Sequence, residues 1–350
     1  MPPSLPTKPR FAGRSGLAIT AIAPAGAALL VIGLVTGCAS ANSTSSESSS
    51  PADSQTAFVS AIDRVLPSVV EIRTPAGLGS GVVFDSGGDI VTNAHVVGAG
   101  KDLQVLLPTS AEPLPASLVG IYRPDDLAVI KVGDAKDLRP AAFGDSAKLV
   151  AGDMVLAIGN PLGLAGSVTE GIVSAVGRIV SEPAAQGSPG ATLPDTIQTS
   201  AAINPGNSGG ALVTLNGQVI GIPTLAVAGN GAQGIGFAIS SNIATSIAQQ
   251  LVKTGHVTDP HRAALGVTAA TIVGGDGKPA GVRVVAATTG SGLAADDVIT
   301  AVDGTATLDI QALATVLAAL SPGQSVAVQV THPDGSTASV QVTLGQLPDS

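Results

Sequence analysis

The chain has 350 residues, 45% of them hydrophobic, which is enough for two domains. It contains no Trp, one Tyr and five Phe, so Val, Leu, Ile and Ala must fill the core, and the β-branched residues among them favour sheets. The formal net charge of −9 argues against a nucleic-acid partner held through its phosphates. The sequence has no H-E-x-x-H spacing and no evident nucleotide-binding loop, so we expect no metal and no cofactor.

The N-terminus has the pattern of a secretory leader. Three cations without an acid precede an almost wholly apolar stretch, and Gly37 stands before Cys38, the only cysteine of the chain. This ending resembles a bacterial lipobox, which implies a lipoprotein-type signal peptide over residues 1–37 and a lipid on the Cys38 sulfur. An uncleaved membrane helix and a plain secretory signal are the alternatives. All three place the rest of the chain outside the cytoplasm, anchored to the bacterial cell membrane in the first two.

A Ser-rich, low-complexity tract covers residues 38–57 and has nothing to bury, so it is predicted to be a disordered tether. From Phe58 to Leu66 apolar side chains recur at helical spacing, and Pro67 ends this predicted helix. Short apolar strands between Gly, Pro and Asp turns then follow as far as Val227, a pattern typical of β-barrels. A polar loop is predicted at residues 181–194, and a closing helix at 242–252.

Two titratable residues lie at strand ends in this region. His95 follows the apolar strand 89–93, and taken alone it is better explained as a structural histidine. Asp126 opens the apolar strand that follows it and is the better candidate for a buried acid that orients a histidine. Asp125 is the fallback, and a turn acid without a catalytic role is the alternative.

The turn Asn204–Gly210 contains a serine, Ser208, with glycines on both sides. We expect the Ser208 hydroxyl to point outward while the N–H groups of Gly206 and Ser208 face one point. Acyl transfer needs such a nucleophile beside donors for an oxyanion. An ordinary tight turn is the alternative. The order His95, Asp126, Ser208, each at a strand edge, makes the catalytic interpretation much stronger than any one motif.

These motifs resemble the HtrA/Deg branch of trypsin-like serine proteases. The matching segments are Gly79-Ser80-Gly81, Thr92–Val97, Asp126–Ile130, Gly159–Gly163 and Asn204–Leu212. The resemblance implies a mostly β fold, with a trypsin-like double β-barrel protease domain over residues 58–258. It assigns His95 as the base, Asp126 as its orienting acid and Ser208 as the nucleophile, with Gly206, Asn207 and Ser208 forming the oxyanion hole.

The resemblance also predicts the specificity pocket. Ile235, Gly236 and Phe237 are expected on one wall, and Ala202 and Ile203 on the other. Without an acid among them, the residue before the cut should be small and aliphatic. Ser200 stands where the family usually has an acid. Asn207 cannot pair with a newly cut N-terminus as an aspartate would, so loop rearrangement is expected instead of pro-segment cleavage.

Residues 263–346 resemble a small α+β PDZ domain. The implied ligand is a peptide C-terminus that adds as a strand, with its carboxylate on the N–H groups of Leu265, Gly266 and Val267. One helix is predicted from Ile310 to Leu320, capped by Thr307 or Asp309. The segment 286–293 is shorter than usual, and Asp296 replaces a turn glycine. A PDZ-like fold that only packs against the protease is the alternative.

Together these features predict an extracytoplasmic serine endopeptidase that cleaves misfolded or unfolded proteins after small aliphatic residues and is regulated by its PDZ domain. The alternative is a catalytically silent, protease-like chaperone or PDZ adaptor. The family resemblance further implies a homotrimer built through the start of the protease domain, where Phe58 is the one aromatic anchor.

Overall fold

The structure is a computed structural model that describes residues 51–75, 77–110, 112–133, 135–160, 166–182, 191–204, 206–226 and 234–348. The predicted signal peptide, Cys38 and residues 38–50 of the predicted tether lie outside these ranges. Among the described residues no helix is long and apolar enough to cross a membrane.

The first element is helix α1 (Pro51–Val65), which begins at Pro51 and not at Phe58. The prediction of a disordered tether is therefore wrong for residues 51–57. Proline suits the first helical turn, where an N–H has no helical acceptor and its fixed φ is already helical. The far end of α1 buries Ala61 and Val65 in the core between the two barrels, which holds the helix in place.

A closed six-stranded barrel follows, in the order β1-β2-β3-β6-β5-β4. Its strands are β1 (Val69–Thr74), β2 (Gly77–Val83), β3 (Asp89–Asn93), β4 (Leu103–Leu106), β5 (Leu114–Tyr122) and β6 (Leu127–Val132). A single helical turn, α2 (Ala94–Val97), continues directly from β3. Strand β3 pairs with β6, so the residues that follow one strand meet those that precede the other.

The second closed barrel has the order β10-β11-β12-β9-β8-β7. Its strands are β7 (Met154–Gly159), β8 (Ser167–Glu182), β9 (Ala191–Thr199), β10 (Ala211–Thr214), β11 (Val219–Ala226) and β12 (Gly236–Ser240). Helix α3 (Ser241–Thr254) closes the domain, close to the predicted helix. The mostly β, double-barrel fold expected from the sequence is confirmed.

The predicted polar loop at 181–194 is wrong at both ends. Strand β8 runs to Glu182 and β9 starts at Ala191, and Val180 pairs with Leu193 across the two strands. Leu193 is buried in the core between the barrels. Burial of Leu193 stabilises the strand here, although most residues of this stretch are polar or small. Residues 183–190 lie outside the described residues.

The second domain has a sheet in the order β14-β15-β16-β18-β19 with one helix against it. Its elements are β13 (Ala263–Ala264), β14 (Val267–Val273), β15 (Pro279–Ala287), β16 (Val298–Val302), β17 (Thr305–Ala306), α4 (Ile310–Ala318), β18 (Ser325–Thr331), β19 (Thr337–Thr343) and β20 (Gly345–Gln346). Asp309 is the cap of α4, because its Oδ1 accepts from the Ala312 N–H at 2.7 Å. Asp296, which stands where a turn glycine was expected, adopts the left-handed conformation of this turn with a φ of 69°.

Side chains of the connector and of α4 make polar contacts with the protease domain. Arg262, in the connector before β13, places Nη1 2.7 Å from the Pro124 carbonyl oxygen and 2.6 Å from Asp125 Oδ1. Gln311 of α4 donates from Nε2 to Thr192 Oγ1 at 2.9 Å, and also contacts the Ser181 hydroxyl. The Arg262 contacts end on the two residues that precede Asp126, and the Gln311 contacts end on strands β8 and β9.

Candidate active site

Asp126 is placed by the pairing of β3 with β6. A 3-10 turn over Arg123–Asp125 ends at Asp126, whose φ of 50° turns the chain into β6. The Asp126 carbonyl accepts from the Ala94 N–H at 3.0 Å and from Asn93 Nδ2 at 3.0 Å. These bonds attach the start of β6 to the end of β3, where α2 presents His95.

The Asp126 carboxylate has three donors around it. Oδ2 lies 2.7 Å from His95 Nδ1 and accepts from Thr224 Oγ1 at 2.7 Å, while Oδ1 accepts from the His95 backbone N–H at 2.9 Å. A carboxylate only accepts, so the His95 ring must carry its proton on Nδ1 in this pair. In the neutral ring Nε2 then carries the lone pair, as a general base requires.

Asp125 has a different partner. Its Oδ1 contacts Arg262 at 2.6 Å, and its Oδ2 is buried without a hydrogen-bond partner in the described structure. Burial raises the pKa of Asp125 to about 6, against the lowering effect of the Arg262 charge and hydrogen bond. Of the two acids left open by the sequence, the structure brings Asp126 to the histidine and Asp125 to the interdomain connector.

Ser208 lies where the two barrels meet. Its carbonyl accepts from the Ser80 N–H of the first barrel at 2.9 Å, and its hydroxyl donates to the Thr224 carbonyl at 3.3 Å. Gly209 has a φ of 79°, and a Cβ there would lie 2.2 Å from the Ser80 carbonyl oxygen. Only glycine fits at this point, which explains one of the two glycines beside Ser208.

Thr224 of β11 was missed by the sequence analysis. Its hydroxyl donates to Asp126 and its carbonyl accepts from Ser208, so it connects the acid to the nucleophile. The available signal was a polar side chain within an apolar strand, and Thr224 is indeed buried. A hydroxyl on such a strand is common, and its partner Asp126 is 98 residues away along the chain.

The predicted oxyanion-hole residues form a closely held turn. Gly206 has a φ of 103°, and the Asn207 N–H donates to the Asn204 carbonyl at 2.9 Å. Buried Asn207 also donates from Nδ2 to the Ala202 carbonyl at 3.3 Å. These bonds hold the turn that contains the two predicted oxyanion donors, the N–H groups of Gly206 and Ser208.

The predicted pocket residues lie on β12 or directly before it, and on the segment before the Ser208 turn. A Cβ on Gly236 would lie 2.5 Å from Ile203 Cγ1, so Ile203 and Gly236 face each other directly. Side chains alternate along a strand, so Phe237 of β12 points to the opposite face from the Gly236 Cβ position. Ala202 is exposed, Ile235 is half-buried, and Ile203 packs into the core of the second barrel. The specificity pocket stays a prediction.

In the second domain, Leu265, Gly266 and Val267 lie at the end of an apolar groove of about 680 Å³. Strand β14, an edge strand, and helix α4 form its sides, and Ile310, Leu313 and Leu317 line it. The Gly266 carbonyl accepts from the Thr288 N–H at 2.8 Å, which holds the loop. Ala286, Ala287 and Thr288 of the shortened segment 286–293 also line the groove.

Residues 79–222 match the trypsin-like peptidase domain and residues 263–344 match the PDZ domain. Serine protease PepD of Mycobacterium tuberculosis is 38% identical over 308 residues, which cover 81% of this chain and 65% of PepD. A probable periplasmic serine endoprotease, DegP-like, of Chlamydia trachomatis is 39% identical and is covered over 58% of its length. The solved HtrA-type protease AlgW with a decapeptide is 30% identical with a TM-score of 0.56, covering 84% of this chain and 99% of AlgW.

The chain belongs to the HtrA family of trypsin-like serine proteases with a PDZ domain. This HtrA chain spans 65% and 58% of the two curated relatives named above. The family resemblance stated from the sequence motifs is confirmed, and both matched domains coincide with the two folded parts described above.

Proposed function

We propose that the chain is an extracytoplasmic serine endopeptidase with His95, Asp126 and Ser208 as its catalytic residues. The observation that supports this best is the Asp126 carboxylate, which holds the His95 Nδ1 at 2.7 Å and the His95 backbone N–H at 2.9 Å. An acid that only capped a turn would bond the backbone N–H of His95, whereas Asp126 also bonds the ring nitrogen Nδ1.

The proposed chemistry is acyl transfer through the Ser208 hydroxyl. His95 Nε2 takes the hydroxyl proton as Oγ attacks the scissile carbonyl, and Asp126 stabilises the resulting imidazolium. The negative charge on the former carbonyl oxygen is met by the N–H groups of Gly206 and Ser208. His95 then gives its proton to the leaving amine, and water hydrolyses the acyl ester by the same steps.

The substrates we propose are exposed segments of unfolded or misfolded proteins, cut after small aliphatic residues. This preference is supported by the predicted pocket residues, none of which carries an acid to receive a basic side chain. Some relatives are named periplasmic endoproteases, which supports a site of action outside the cytoplasm. Attachment by lipid at Cys38, or by an uncleaved N-terminal helix, and assembly as a homotrimer are further parts of this proposal.

The second domain is proposed to bind peptide C-termini. Its edge strand β14 offers unpaired backbone groups toward the groove, and the loop Leu265–Val267 offers N–H groups at one end. The AlgW structure was solved with a decapeptide, which supports peptide binding in a protein of this fold. Groove occupancy would reach the protease through Gln311, which contacts β8 and β9.

Cleavage of unfolded casein by the full chain tests the proposal. Ser208→Ala is expected to lower the rate by on the order of 10⁴- to 10⁶-fold, because the nucleophile acts as a unit with its base. Ser241→Ala is the matched control, since it removes another buried hydroxyl, which donates to the Gly144 carbonyl at 2.7 Å. Equal cleavage by wild type and Ser208→Ala would contradict the proposal. Aggregation suppression without any cleavage would favour the chaperone or adaptor alternative.

A further inference from the structure

Ser80 of β2 is a fully buried serine at the contact between the two barrels. In the sequence it stands out only as the middle residue of the Gly79-Ser80-Gly81 motif. In the structure it makes four hydrogen bonds, and two of them end on the turn that contains Ser208.

The backbone and the side chain of Ser80 hold two different carbonyls of that turn. The Ser80 N–H donates to the Ser208 carbonyl at 2.9 Å, and the Ser80 hydroxyl lies 2.5 Å from the Gly206 carbonyl oxygen. The Ser80 carbonyl in turn accepts from Thr92 Oγ1 at 2.7 Å, which ties β2 to β3. Ser80 is thus fixed by its own barrel and reaches across to the other.

The direction of the hydroxyl bond follows from its partners. The Asn160 N–H donates to Ser80 Oγ at 2.8 Å, so this oxygen already acts as an acceptor. A serine hydroxyl has one hydrogen, and a carbonyl can only accept. The hydrogen of Ser80 must therefore point at Gly206.

The consequence concerns three consecutive peptide planes. The plane between Gly206 and Asn207 is held at both ends, by Ser80 on its carbonyl and by the Asn204 carbonyl on its N–H. The plane after Ser208 is held by the Ser80 N–H. The peptide with the Ser208 N–H lies between these two planes. The Gly206 N–H belongs to the preceding peptide and is joined to the first plane through the φ and ψ of Gly206, whose φ is 103°. Ser80 thus holds peptide planes that adjoin both proposed oxyanion donors.

We propose that the Ser80 hydroxyl is a positioning residue that keeps the oxyanion hole in its active geometry. This inference rests on the proposed protease function. Without the hydroxyl, the Gly206 carbonyl loses a buried partner. A rotation of the Gly206–Asn207 peptide toward another donor changes the backbone angles of Gly206 and Asn207, and this displaces the N–H groups on either side, those of Gly206 and Ser208. Ser80 bonds to Ser208, Gly206, Thr92 and Asn160, so its substitution should leave the 2.7 Å contact between His95 and Asp126 in place.

The test compares full-length wild type, Ser80→Ala and Ser241→Ala on a peptide substrate. Ser241 is the matched control because it is also a fully buried serine that donates to a carbonyl, that of Gly144. We expect Ser80→Ala to lower kcat about 10- to 100-fold, as misplaced catalytic groups do. KM should stay within about twofold, and the pH profile of kcat/KM should keep its shape, because substrate binding and the base are unchanged.

A transition-state probe separates positioning from general loosening. A peptide boronic acid forms a tetrahedral adduct on the serine, so its affinity should fall by the same factor as kcat/KM in Ser80→Ala. Ser80→Cys fills the same space with a weak donor and should lie between wild type and Ser80→Ala. It also keeps the test valid where the alanine variant does not fold.

Three results would overturn the inference: kcat of Ser80→Ala no lower than that of Ser241→Ala, an effect confined to KM, or full activity of Ser80→Cys. Ser208→Ala distinguishes these from failure of the function itself. Wild-type activity that survives Ser208→Ala would overturn the proposed protease, and with it the role of Ser80.

Discussion

The two candidate sites of this chain are built on opposite principles. The protease site lies at the contact of two barrels, where Asp126, Thr224 and Ser80 are buried and bonded to groups from both barrels. The groove of the second domain lies between one edge strand and one helix, and its walls are apolar. Chemistry needs atoms fixed within fractions of an ångström, whereas a peptide strand needs an unpaired edge and an apolar surface.

The largest expected difference within the protease site is between two adjacent acids. Asp126→Asn should lower kcat by about 10⁴-fold, because an amide can donate to Nδ1 and favour the wrong tautomer of His95. Asp125→Asn should leave kcat within a few-fold, since its contacts go to Arg262 and not to His95. Peptide hydrolysis at pH 8 measures both. If Asp125→Asn lowered kcat as much as Asp126→Asn, the assignment of Asp126 to catalysis and of Asp125 to the Arg262 contact would be wrong.

The next prediction concerns the pH dependence of stability. Burial raises the pKa of Asp125 from 3.8 to about 6, so the folded chain binds this proton more tightly than the unfolded chain. The contribution of this group to the free energy of unfolding is therefore fully present below pH 3.8. It is lost as the pH rises to 6, by about 3 kcal/mol.

Denaturant unfolding of wild type and Asp125→Asn at pH values from 4 to 7 isolates this term. The wild type should lose stability relative to the variant as the pH rises through this window. Equal slopes in the two proteins would show that Arg262 fully compensates the burial of the carboxylate.

The smallest expected effect is in the groove. Ala314 of α4 lines it, and Ala314→Glu would place a carboxylate in apolar surroundings near the C-terminus of a bound peptide. The affinity for a hydrophobic C-terminal peptide, measured by fluorescence anisotropy, should fall about tenfold or more. Ala319→Glu adds the same charge on the exposed end of this helix, outside the groove, and should bind normally. Equal weakening by both would point to net charge and not to the groove.

The sequence predicted the position of a residue where a local pattern alone determined that position. His95, Asp126 and Ser208 follow or precede apolar strands, so their places at strand edges were predictable, and β3–β6 pairing brings the first two together. Thr224 and the role of Ser80 were not predictable, because their partners are 98 and 126 residues away. The sequence also could not tell which way the side chains of Ile203 and Phe237 point, because the face that a side chain occupies depends on the pairing register. The start of α1 was missed because Pro51 allows a helix in a tract whose polar composition indicated disorder.

The contact of Arg262 with Asp125 has a consequence for how this protein can be divided. Arg262 stands just before β13, so a protease fragment designed to stop at the end of the first domain would lose it. Asp125 would then be a buried carboxylate without its cation, next to Asp126 in the chain. We would attribute inactivity of such a fragment to the unpaired Asp125 carboxylate and not to the loss of peptide binding by the second domain. The cut belongs after Arg262, and a domain swap with a relative must carry this arginine along.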